Sequence, residues 1–114
     1  MPSKNKGLLR IIIFDDNISV RDSIEMLLST TDTMQLIASF ENCNNLIIDI
    51  ESSKPDVVLM DIDMPSLNGI EGVKLLRTKF PELPVLMFTG FEEDEKVFAS
   101  LCAGANGKKK KNAN

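Results

Sequence analysis

The sequence predicts one α/β domain of three layers, a parallel sheet covered by helices on both faces. Three observations carry that expectation. The 114 residues suit a single domain and can bury a core without disulfides or a structural metal. Four short runs, Leu8 to Phe14, Met34 to Phe40, Val57 to Met60 and Val85 to Phe88, are rich in Ile, Val, Leu and Phe with little polar alternation. That is the pattern of strands buried on both faces, which belong to parallel sheets. The segments between them repeat apolar residues at helical spacing, so strands and helices alternate and right-handed crossovers follow.

Each element can be justified in turn. Residues 1–7 are basic and polar and read as a flexible N-terminal tail. After the first strand, Val20, Ile24, Leu27 and Leu28 fall at i, i+4, i+7 and i+8, one face of a helix. Residues 44–53, with Leu46, Ile47 and Ile50, form a weaker helix that ends before Lys54-Pro55, because the residue preceding a proline disfavours the helical region. Residues 68–80 place Ile70, Val73, Leu76 and Phe80 on one side, and Pro81 stops that helix. Residues 92–103 open on four acids, Glu92 to Glu95, which favour a helix N-terminus. Val97, Phe98, Leu101 and Cys102 supply its apolar stripe and Gly104 its stop. A fifth strand is expected after Asn106-Gly107.

Composition removes several function classes. The chain has no histidine, which excludes a Ser-His-Asp or Cys-His centre, a histidine metal ligand and a phosphohistidine donor. Cys43 and Cys102 are too few for a zinc site and are expected reduced and partly buried. Lys108 to Lys111 hold four of the 13 basic residues, which leaves nine against 17 acidic ones, or −8 over residues 1–107. A nucleic-acid surface needs the opposite sign, and with neither Trp nor Tyr only the six Phe could stack on bases. Direct nucleic-acid binding is therefore not expected. No apolar run is long enough to span a bilayer, and the N-terminus lacks a signal-peptide pattern. The cytoplasm is the expected compartment.

The chemistry is expected where the strands end, since ligands of open parallel sheets bind at their carboxyl edge. The first strand ends in Phe14-Asp15-Asp16, the third in Met60-Asp61 and the fourth in Phe88-Thr89-Gly90. Taken singly, an Asp after a strand is as well read as a helix N-cap, and Thr-Gly as a turn. Taken together, they set three carboxylates and a hydroxyl on one rim. Carboxylates so placed repel one another and require a counter-charge. A hard divalent cation such as Mg²⁺ suits their oxygens and leaves one of them to act as a nucleophile toward a phosphoryl group.

These residues resemble those of a known family. The strand end Ile11-Ile12-Ile13-Phe14-Asp15-Asp16-Asn17 is similar to the acidic pair of response regulator receiver domains. Val57-Val58-Leu59-Met60-Asp61-Ile62-Asp63-Met64-Pro65, followed by Asn68-Gly69, resembles the segment that carries their phosphorylated aspartate. Pro84-Val85-Leu86-Met87-Phe88-Thr89-Gly90 resembles the strand ending in their switch residue, and Ala103-Gly104-Ala105-Asn106-Gly107 the turn into their fifth strand. The likeness covers about residues 8–107. It implies a flavodoxin-like sheet of order 2-1-3-4-5. It further implies that Asp16 binds Mg²⁺ directly, Asp15 mainly through water, and Asp63 through its backbone carbonyl. Asp61 would both ligate the ion and take a phosphoryl group from the phosphohistidine of a sensor histidine kinase or phosphotransfer protein. Thr89 would move onto the phosphoryl oxygens and carry the change to a distant surface. The implied protein is a phosphoacceptor that assists its own phosphorylation and dephosphorylation, acting on a partner or on an output domain absent from this chain. A homodimer is among the assemblies so implied.

The C-terminal end departs from that pattern. After Asn106-Gly107 the family has an aromatic residue, two apolar residues and a lysine, whereas this chain has Lys108, Lys109, Lys110 and Lys111. By register Lys111 is the lysine that would contact the phosphoryl oxygens, but burying Lys109 and Lys110 in a strand is costly. Residues 108–114 thus read equally as a solvated tail or as a remnant of the fifth strand, and no fifth helix follows. A chain shortened or altered at this end is the expectation. Two other functions remain open: a receiver-like interaction module that no longer signals by phosphorylation, and a phosphohydrolase of the haloacid-dehalogenase type. The latter is suggested by Asp61-Ile62-Asp63, but its acidic pair lies downstream of the nucleophile and Pro65 stands where it has Thr or Val.

Overall fold

The computed structural model describes residues 8–62, 64 and 69–88. The element order is β1 (Leu9–Phe14), α1 (Ile18–Leu28), β2 (Met34–Phe40), α2 (Leu46–Ser53), β3 (Val57–Asp61), α3 (Gly69–Lys79) and β4 (Val85–Phe88). All strand pairs are parallel and the sheet order is β2-β1-β3-β4. This is the expected order over its first four strands. The helix expected over 92–103, the fifth strand, the tails 1–7 and 108–114, and the roles given to Asp63, Thr89 and Lys111 all fall outside the described residues.

Successive side chains of a strand point to opposite faces, and β1 and β3 divide their apolar residues accordingly. Ile11, Ile13 and Leu59 pack with Val20, Ile24 and Leu28 of α1, together with Met34 and Phe88. Ile12, Phe14, Val58 and Met60 face the other way, onto Leu46 and Ile50 of α2, Leu76 of α3, Cys43 and Met64. Among the described residues α1 therefore covers one face of the sheet, and α2 and α3 cover the other. Gly72 lets α3 come close: a Cβ there would stand 3.3 Å from the Cys43 Sγ and 3.4 Å from the Met60 Cε.

Among the described strands, burial on both faces holds for β1 and β3. Residues 11–14 and 58–60 are fully buried. β2 lies at the sheet edge and exposes Gln35 and Ser39, while in β4 Met87 is 39% exposed. The β1–β2 ladder also shifts register, with Leu36 opposite Ile11 and Ala38 opposite Ile12. Ile37 is the extra residue of this β-bulge, and it packs beside Ala38 on the α2–α3 side. Ile70 corrects another expectation: Val73, Leu76 and Phe80 pack into the core as their spacing predicts, but Ile70 is 50% exposed.

The helix ends are closed by side chains that the spacing of apolar residues does not reveal. Asn17 caps α1 by accepting the Ser19 amide at 2.8 Å. At its other end, the hydroxyls of Ser29, Thr30 and Thr31 donate to the carbonyls of Met26, Leu27 and Leu28 at 2.7, 2.7 and 3.1 Å. α2 stops at Lys54, whose φ of 52° lies in the left-handed region. Arg10 of β1 takes up the freed carbonyls, donating to Ser53 at 2.7 Å and Lys54 at 3.1 Å. Arg77 of α3 ties down the turn that follows the helix, donating to the carbonyls of Phe80 at 3.1 Å and Leu83 at 2.6 Å.

Candidate functional site

The carboxyl ends of β1 and β3 meet by register. Phe14 pairs with Met60, so the residues that follow, Asp15 and Asp61, come level on adjacent strands. Both are buried, at 2% and 5% exposure, whereas Asp16 lies in solvent contact. One ligand oxygen from each of Asp15, Asp16 and Asp61 can be chosen so that all three lie within 4.8 Å of one another. Opposite ligands of an octahedral Mg²⁺ stand about 4 Å apart, so this carboxylate set fits one hard divalent cation after a small contraction.

The backbone around the pair is held firmly. The Asp15 amide donates to the Phe40 carbonyl at 3.0 Å, extending the β1–β2 ladder. The Asp15 Oδ1 accepts the Asn17 amide at 2.8 Å, a turn closed by a side chain. The Asp15 carbonyl accepts from the Arg21 guanidinium at 2.6 Å. Across the sheet, the Ile62 amide donates to the Phe88 carbonyl at 3.0 Å, which extends β3–β4 pairing past Asp61. Next to the rim the rings of Phe14 and Phe40, on the α2–α3 side of the sheet, stack with centroids 5.0 Å apart.

That setting acts on the Asp15 carboxyl. Its pKa is pushed up from 3.8 to about 7, first by burial and then by the negative charges of Asp61 and Asp16, and the Asn17 amide offsets part of this. Burial and like charge both favour the neutral form of an acid. A divalent cation reverses the balance, since it favours the ionised form of every carboxylate it touches. The site is therefore one in which protonation and cation binding compete.

Of the residues singled out in the sequence, the structure brings Asp15, Asp16 and Asp61 together. The sequence reading missed Arg21 and its contact with Asp15. A signal existed, because an arginine in the first turns of the helix that follows a strand-terminal acidic pair has the reach to return to that strand end.

Comparison with known proteins agrees with this architecture. A family model described as the response regulator receiver domain matches residues 11–114. The transcriptional regulatory protein LnrK of Bacillus subtilis (strain 168) is 37% identical over 100 residues, covering 88% of this chain and 46% of that protein. The transcriptional regulatory protein DegU of Brevibacillus brevis is 31% identical over 103 residues, covering 90% of this chain and 44% of that protein. The chain thus spans about half the length of these relatives. Among solved structures, the response regulator domain of Thermotoga maritima CheB superposes with a TM-score of 0.75 at 21% identity, over 86% of this chain and 93% of that one. With the sheet order, the three grouped carboxylates and the match over residues 11–114 in agreement, the chain belongs to the response regulator receiver domain family of two-component signalling.

Proposed function

We propose that this domain accepts a phosphoryl group on Asp61 in a Mg²⁺-dependent transfer and thereby switches its contacts with a partner. The observation that supports this reading is the grouping of the Asp15, Asp16 and Asp61 oxygens within 4.8 Å at the end of two central strands. Asp16 and Asp61 would hold the cation directly, Asp15 mainly through water, and Asp63 would contribute its backbone carbonyl. When bound, the cation neutralises charge on the incoming phosphoryl oxygens. Asp61 supplies the nucleophile: a carboxylate oxygen bonds to phosphorus, the phosphorus–nitrogen bond to the donor imidazole breaks, and an acyl phosphate results. The chain itself needs no dedicated base, and burial of Asp61 keeps its carboxylate aligned. In this reading Thr89 and Lys111 would contact the new phosphoryl oxygens.

The donor is a sensor histidine kinase or a phosphotransfer protein, and the domain is a phosphoacceptor rather than a turnover enzyme. Relatives named as transcriptional regulatory proteins are about twice as long as this chain. They support an output domain as the recipient of the switch, with no direct nucleic-acid contact by this acidic domain. A homodimer and a cytoplasmic location belong to the same reading. Among the described residues no helix is long and apolar enough to cross a membrane.

Incubation with radiolabelled acetyl phosphate and Mg²⁺ tests the proposal. The wild-type chain should take up acid-stable but hydroxylamine-labile phosphate approaching one equivalent, and Asp61→Asn should take up none while keeping its far-ultraviolet spectrum. Labelling retained by Asp61→Asn would reject Asp61 as acceptor. Multiple turnover of p-nitrophenyl phosphate would favour the haloacid-dehalogenase reading instead.

A further inference from the structure

Resting on that reading of the acidic site, we propose that Arg21 is its positioning residue: the guanidinium fixes the peptide plane on which Asp16 hangs. The Nη1 donates to the Asp15 carbonyl at 2.6 Å, a short charge-assisted bond. That carbonyl belongs to the peptide group joining Asp15 to Asp16, so holding it sets the backbone angle from which the Asp16 side chain departs.

Asp16 needs such a constraint more than its neighbours do. Asp15 and Asp61 are buried and oriented by their surroundings, whereas Asp16 is exposed and has no such packing. Its direction comes from its backbone. The other two groups of Asp15 are already engaged, the amide by Phe40 and the carboxylate by the Asn17 amide. The carbonyl is the remaining degree of freedom, and Arg21 takes it. Arg21 is in turn anchored to the start of α1, its own amide donating to the Asn17 carbonyl at 3.2 Å. A closed circuit from β1 through the acidic turn to α1 results.

Positioning and charge make opposite predictions for Mg²⁺ affinity. A guanidinium near a cation site repels the cation, so by Coulomb's law alone its removal tightens binding. A residue that orients a ligand does the reverse, and loss of such partners typically weakens metal affinity by about 10-fold or more.

The experiment is calorimetric titration of the full chain with MgCl₂, alongside thermal melts. Arg21→Met keeps the apolar stem and removes the donor, and Mg²⁺ affinity should fall about 10-fold. Arg21→Lys keeps a donor of similar reach and should recover most of that loss. Arg10→Met, which loosens the end of α2 at the opposite edge of the sheet, should lower the melting temperature but leave Mg²⁺ affinity at the wild-type value. Arg21→Gln substitutes for Arg21→Met should the latter not fold. Unchanged or tighter Mg²⁺ binding by Arg21→Met, with binding weakened in Asp16→Ala, overturns the role of Arg21 and leaves the acidic site standing. Equal losses in Arg10→Met and Arg21→Met also overturn it, since destabilisation alone would then explain both. Failure of wild-type chain to bind Mg²⁺, or equal binding by Asp16→Ala, rejects the acidic site and the Arg21 role with it.

Discussion

Asp15 stands level with Asp61 because Phe14 pairs with Met60 in the parallel register of β1 and β3. Two acids that are 46 residues apart in sequence thus share one environment through a strand pairing, and no loop is needed to bring them together. Burial first, and the nearby charge of Asp61 after it, raise the pKa of Asp15.

The Asp15 carboxyl titrates near pH 7 in the folded chain and near 3.8 when exposed. Below about pH 4 it is protonated in both states. Between about 4 and 7 the unfolded chain releases its proton while the folded chain keeps it, so stability falls as pH rises, and above about 7 the loss is complete. Asp15→Asn keeps an acceptor for the Asn17 amide and removes this slope. Urea melts in EDTA should show the variant more stable at pH 8, by about 4 kcal/mol, with the difference vanishing toward pH 4. A difference that does not change with pH would contradict the assignment.

Lys54 occupies the left-handed region at the end of α2, with φ 52°. Glycine adopts that conformation without the Cβ penalty, which is about 1 kcal/mol for other residues. Lys54→Gly should therefore stabilise the domain by up to about 1 kcal/mol, and its carbonyl remains available to Arg10. Chemical denaturation checks this. Destabilisation would mean that the Lys54 side chain matters more than its backbone.

Leu76 and Ile70 share the apolar spacing of α3, but Leu76 is 0% exposed and Ile70 50%. Leu76→Ala should cost about 2–5 kcal/mol through lost burial and the cavity left behind. Ile70→Ala should stay within about 0.5 kcal/mol of wild type, as a surface change does. Comparable losses at both positions would place Ile70 in the core.

Cys43 is buried, and burial followed by the nearby charge of Asp49 pushes its thiol up to about 11. A thiol so raised carries little thiolate at neutral pH and should react only through opening of the fold. In a Cys102→Ser background, iodoacetamide should leave the native chain unmodified and label it fully in denaturant. Rapid native labelling would disprove the burial.

Much of the fold was legible because β1 and β3 are covered on both sides, and full burial writes an unbroken apolar run such as Ile11-Ile12-Ile13-Phe14. The acidic rim was legible for a similar reason: Asp15, Asp16 and Asp61 interrupt those runs abruptly at their ends. What stayed hidden depends on distance in space. The reach of Arg10 to Ser53 and of Arg21 to Asp15 leaves no trace in apolar spacing. Ile70 shows a further limit, since periodicity assigns a helical face but not how far along the helix the core extends.

The bulge at Ile37 has a consequence for chain length. Leu36 already faces Ile11 and Ala38 already faces Ile12, so excising Ile37 would leave an evenly alternating strand with Phe40 still beside Phe14. The Asp15 amide would keep its acceptor on Phe40. Loss of Ile37 can thus be absorbed within β2, with its pairing to β1 otherwise kept.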